Sequence, residues 1–136
     1  MGAATADITT TYSGVNQLSL KVAGGAVIHA GTMVSVNSSG YAIPAANTDN
    51  SKDVTGIARE SVDATGLADG IETVVVIRHH RFKIKNSATS ALTQANLFGI
   101  ALVENDQTVA ATASKSNVAG KLVGLDGDFC WVEIPG

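Results

Sequence analysis

The chain is expected to be all-β: a small β-barrel or sandwich built from two similar β units, with an extended N-terminal arm. Three observations carry this. First, valine-rich strand signals recur in the same order in both halves. In the first half, Val36 to Ala45 reads as strand, polar turn and strand, followed by Val54 to Ala58 and Gly70 to Ile77. In the second half Val103 to Ala111, Leu122 to Asp126 and Gly127 to Ile134 take the same roles, with Gly56 and Gly124 half a chain length apart. Two units, each too small to bury both faces alone, would pack together. Second, hydrophobic residues make up 45% of the 136 but aromatics only 4%, so the core should be thin and aliphatic. Third, no long segment shows a helical period.

Taken in order, residues 1–16 have little apolar content and read as the arm, leaving 17–136 as a single β domain. Gln17 to Val22 alternates, with Leu18, Leu20 and Val22 on one face, until Gly24-Gly25 ends it. Ala26 to His29 and Thr32 to Asn37 are further strands around Gly31. Asn37-Ser38-Ser39-Gly40 tolerates positive φ and predicts a hairpin into Tyr41 to Ile43. Ala46 to Asp53 is a polar loop. Asp69-Gly70 launches the longest strand run, Ile71 to Lys85. Its apolar phase is odd at Ile71, Val75 and Ile77 but even at Phe82 and Ile84, which predicts a bulge or bend near His79-His80. Thr89 to Asn96 offers one short helix or turn at most. Asp126-Gly127 predicts a second hairpin into Phe129 to Ile134, where Pro135 ends the ladder.

The same composition narrows the function. Charged residues are 15%, well below the ~25% of ordinary soluble domains, so the surface is unusually neutral and suited to being covered by partners. A net charge of -3 argues against a nucleic-acid partner, which needs a concentrated positive patch. The longest aliphatic run, Val74 to Ile77, is far short of the ~20 residues that span a bilayer, so no membrane partner is expected. No basic-then-apolar signal pattern opens the sequence. The single cysteine, Cys130, excludes an internal disulfide framework and reads as a buried, inert thiol.

Catalytic and metal chemistry find little support. Adjacent strand residues such as His79 and His80 point to opposite faces and do not share an ion, and no His/Cys cluster has metal spacing. Asp49, Asp53 and the Asp126-Gly127-Asp128 turn match no calcium loop. There is no nucleophile elbow, phosphate-cradling loop or His-Glu-x-x-His, so neither an enzyme nor a cofactor is expected. Arg78, Arg81, Lys83 and Lys85 form a candidate basic contact strip, with the last three on one strand face. With Phe82 alone among them they fall short of the interleaved stacking aromatics expected for single-stranded nucleic acid, and the simpler reading is a basic strand facing an acidic neighbour.

Ala30 to Val36, the hairpin from Gly40 to Ala45, Thr55 to Ala58 and Gly70 to Arg78 together resemble small phage capsid decoration (cement) proteins. The resemblance spans roughly residues 17–134 and rests on Gly and Val placement in a compact β-barrel. It implies a virion protein made in the host cytoplasm and bound to the outer capsid surface as homotrimers, clamping the major capsid protein. The arm, through Thr5, Ile8, Thr10 and Tyr12, would add a strand to a neighbouring sheet. Removing residues 1–12 is then expected to leave the fold intact and weaken capsid attachment. The competing reading is a tail or receptor-binding β module that recognises a host surface glycan.

Overall fold

The computed structural model describes residue 6 and residues 16–135, and within these the chain is all-β. The arm positions Thr5, Ile8, Thr10 and Tyr12 lie outside the described residues. Twelve strands follow in order: β1 (Gln17–Lys21), β2 (Val27–Ile28), β3 (Met33–Val36), β4 (Ala42–Pro44), β5 (Gly56–Ala58), β6 (Val62–Asp63), β7 (Thr73–Ile77), β8 (His80–Asn86), β9 (Ile100–Asn105), β10 (Thr108–Ala110), β11 (Val118–Asp126) and β12 (Phe129–Ile134). One 3-10 turn, Gln94–Asn96, precedes β9.

The two units share one topology. The first is a five-stranded sheet in the order β1-β7-β5-β3-β4, and the second runs β8-β12-β11-β9-β10. The second closes into a barrel through parallel pairing of Thr108 and Val109 with Lys85 and Asn86. In the first, a single parallel bridge, Val22 to Ala42, occupies the same place. Hydrogen bonds confirm the match: Ala23 N–H donates to Ala42 C=O at 2.9 Å as Ser87 N–H donates to Val109 C=O at 2.8 Å.

Each unit fills its interior with its own aliphatic residues. Val22, Val34, Ala42, Ala58, Val74 and Val76 are buried in the first unit, with Ala101, Val103, Val109, Leu122, Cys130 and Val132 in the second. The first unit's side chains are the smaller set. A two-stranded ribbon, β2 with β6, adds Ile28 and Val62 to that core. Neither strand of the ribbon has enough residues to show a period, and β6 carries no strand signal in the sequence.

Both expected hairpins form. Gly40 takes φ 89° and Asn37 Oδ1 accepts from the backbone N–H groups of Ser39 and Tyr41, each at 3.0 Å. Gly127 takes φ 61° in the turn from β11 to β12. The register of the duplication differs from the sequence match. Ile57 and Ala58 pair with Ile77 and Val76 as Lys121 and Leu122 pair with Glu133 and Val132, so the counterpart of Gly56 is Gly120, not Gly124. Packing gives the reason. A Cβ at Gly56 would lie 2.6 Å from the Ile77 carbonyl oxygen, and one at Gly120 would lie 2.3 Å from that of Glu133, whereas Gly124 has ordinary clearance.

The phase of the long strand run is also corrected. In β7 the fully buried residues are Val74 and Val76, with Val75 and Ile77 half-buried and Ile71 exposed before the strand begins. A strand apolar on both faces carries no usable alternation. The break at His79 is real, but it is a left-handed residue at φ 61° where the chain crosses from one unit to the other. The alternation of Leu18, Leu20 and Val22 is partly realised. Val22 is buried, Leu20 half-buried, and Leu18 exposed at the outer end of β1.

Candidate protein-interaction face

The outer side of the second barrel, where β8 and β12 run antiparallel, gathers the densest set of unusual surface residues. Alternation along β8 turns Ile84 inward and leaves Arg81, Lys83 and Lys85 exposed. Alternation along β12 buries Cys130, Val132 and Ile134 and leaves Phe129 and Trp131 41% and 39% exposed. The register places Phe129 opposite Lys85, Trp131 opposite Lys83 and Glu133 opposite Arg81. β12 therefore sets two exposed aromatics beside the lysines of β8, whose own Phe82 is half-buried.

Local contacts hold these side chains in place. The Lys83 ammonium sits 5.0 Å from the centre of the Phe129 ring and 3.3 Å from Asp126 Oδ2. The Arg81 Nε lies 3.5 Å from Glu133 Oε1. Such exposed pairs contribute about 0–1 kcal/mol each, so they orient the face more than they stabilise the barrel. Trp131 lies beside Gly124, where an added Cβ would meet the indole Cδ1 at 3.4 Å. Among the described residues Lys85 has no carboxylate within ion-pair distance.

The acidic neighbour expected for the basic strip is thus found within the same molecule, as Glu133 and Asp126. With both signs interleaved, the face lacks the concentrated positive potential that phosphate binding needs. Trp131, Phe129 and Arg81 are residue types enriched at protein interfaces, and they stand here among two lysines and Glu133, which are not. Arg78 does not join it. The residue stands before the left-handed His79, and its Nε is buried without a hydrogen-bond partner.

Other candidate residues have structural employment. Asp49 pairs with Lys115 at 3.1 Å, and Asp53 Oδ1 accepts from the Val118 backbone N–H at 2.9 Å. Asn47 and Asn117 add further bonds across the same seam, so the loop from Ala46 to Asp53 stitches the first unit to the second. Cys130 is fully buried, and that burial raises its pKa, which keeps the thiol protonated and unreactive. His80 packs edge-on against Phe82 with ring centres 6.2 Å apart. Among the described residues no three His, Cys, Asp or Glu side chains converge as metal ligands.

The first unit serves as an internal comparison for this face. By register the six positions corresponding to Arg81, Lys83, Lys85, Phe129, Trp131 and Glu133 are Gln17, Ser19, Lys21, Thr73, Val75 and Ile77. One charge and no aromatic remain there, so the scaffold alone does not require the second unit's chemistry. No protein-family model matches the chain, and no curated protein or solved structure matches it.

Proposed function

We propose that the protein is a structural virion component that decorates the outer surface of a phage capsid and stabilises the major capsid lattice as homotrimers. The observation that supports this best is the exposed aromatic and charged face of β8 and β12, carried on a closed barrel whose counterpart unit lacks it. A rigid face of this kind binds a protein surface with little loss of side-chain freedom, and several linked copies multiply weak individual contacts. The neutral remainder of the surface fits a part flanked by neighbours on a crowded shell. The resemblance to decoration proteins points to the same role, with the major capsid protein as partner.

The test is co-sedimentation of the purified chain with matured and immature capsids of its source phage. Saturable binding to the matured shell, lost on Trp131→Ala, is the expected result. Binding to neither shell, together with retention on immobilised host surface glycans, would replace this reading with the receptor-binding one.

A further inference from the structure

The contact between the two units is not symmetric, and this leaves one of its halves unused. The first unit turns the outer sides of β3 and β5 onto the second, where Met33 (1% exposed) and Ile57 join the second unit's buried cluster. The Met33 backbone N–H donates to the Asp106 carbonyl at 2.7 Å. At the edge of this contact Lys83, Lys85 and Phe129 line an open cleft of about 320 Å³ together with Met33 and Ile57.

The corresponding residues of the second unit follow from the hydrogen bonds. Gly31 N–H donates to Ala58 C=O and Ala58 N–H to Thr32 C=O, as Phe98 N–H donates to Leu122 C=O and Leu122 N–H to Gly99 C=O. Phe98, Ile100 and Lys121 therefore occupy the places of Gly31, Met33 and Ile57. Instead of being covered, they line an apolar groove of about 460 Å³ together with Val118, Gly120 and Pro135. Phe98 and Ile100 are 66% and 62% exposed.

Phe98 makes the exposure more telling. Its φ is 65°, at a place where the first unit has Gly31 at φ 82°. The fold demands a left-handed residue there, and glycine takes that conformation without strain. The second unit instead holds a large aromatic in it and points the ring outward, under the Lys121 ammonium at 5.8 Å. Strain kept at an exposed apolar side chain is a mark of function rather than of folding.

A contact that uses different surfaces on its two partners leaves one of each open, and copies of the molecule can satisfy both. We propose that the groove is the docking site for a second copy of this chain, which inserts the free end of its first unit and repeats between chains the contact that joins the units within one. By register the inserted surface is the tip of the Asn37–Tyr41 hairpin, with Ser39 in the place of Asp106, together with Ser19, Lys21 and Thr73 in the places of Lys83, Lys85 and Phe129. Val54 N–H donates to Val118 C=O at 2.9 Å, and these two residues are counterparts, so equivalent points of the two units meet at this seam. The inference takes from the decoration reading only that copies associate, and it names the surfaces by which they do so.

Sedimentation of the full chain without capsids, over a range of concentrations, tests it. The expected result is a discrete oligomer whose dissociation constant rises roughly tenfold or more in Phe98→Gly and in Ile100→Asp. Phe98→Gly suits the backbone at that position, so its loss of association cannot be put down to misfolding. A wild-type chain that stays monomeric at every soluble concentration overturns the inference, as do variants that associate like wild type. Capsid binding by a monomer, abolished by Phe98→Gly, would assign the groove to the shell instead. A chain that self-associates but ignores both capsids would leave the inference standing and remove the decoration role.

Discussion

The two units use the same strand order to different ends. The second closes its barrel with two paired residues on each strand, encloses larger side chains and carries Phe129, Trp131 and three cations outside. The first closes through one bridge, encloses mostly Val and Ala, and adds the β2–β6 ribbon where the second has the 3-10 turn Gln94–Asn96 and the tight Asp126-Gly127 turn. Where the halves agree, as at Gly56 and Gly120, the fold explains the residue. Where they disagree on the surface, as at Gly31 and Phe98 or Val75 and Trp131, the shared fold does not account for the residue.

The largest effect should come from the cores. Leu122→Ala empties a fully buried site and should cost about 3 kcal/mol by chemical denaturation, while the counterpart position is already Ala58. The reverse change, Ala58→Leu, should overpack the tighter first unit by about 2 kcal/mol. Equal tolerance of both would show that the two interiors are not the matched pair described above.

The glycines sharpen the register. Gly56→Ala and Gly120→Ala should each lose about 2 kcal/mol, because both would drive a methyl into a backbone carbonyl of the neighbouring strand. Gly124→Ala should lose less than about 1 kcal/mol, since its added carbon meets the indole edge at ordinary contact distance. A severe Gly124→Ala with a mild Gly120→Ala would restore the pairing suggested by the sequence.

On the outer face, Trp131→Ala should weaken capsid binding by about 2 kcal/mol, roughly thirtyfold, in the co-sedimentation assay. Its counterpart Val75→Ala should leave binding unchanged. Arg81→Ala should change stability by less than about 0.5 kcal/mol, because its pair with Glu133 is well exposed.

A smaller effect is set by pH. Burial raises the folded pKa of Cys130, so the thiol's contribution is complete below its ordinary value of about 8.5 and is lost as pH rises through the higher folded value. Wild type should therefore lose more stability than Cys130→Ala between about pH 8.5 and 10. Identical pH profiles would show that the thiol is not desolvated.

The features legible in the sequence are those decided locally. Asn37 to Gly40 and Asp126-Gly127 announce their hairpins because residues that accept positive φ are few. The alternation of Arg81, Lys83 and Lys85 announces an exposed strand face. What is hidden depends on partners distant in sequence. Nothing in β8 says that Phe129 and Trp131 will stand opposite its lysines, because strand pairing brings them there. Gly120 looks no more constrained than Gly124 until the Glu133 carbonyl is placed against it. Nothing local marks Phe98 and Ile100 as exposed, because it is the one-sided contact between the units that leaves them uncovered.

The lone Val22–Ala42 bridge has a further consequence for motion. A sheet joined edge to edge by one bridge can part there without disturbing its other strand pairs, whereas the seam of the second unit is held by a longer ladder. The amide of Ala23 should accordingly exchange its hydrogen with solvent well before that of Ser87, although both make the same bond. Opening of the native state would then begin at one edge of one half, leaving the aromatic face of the other intact while it happens.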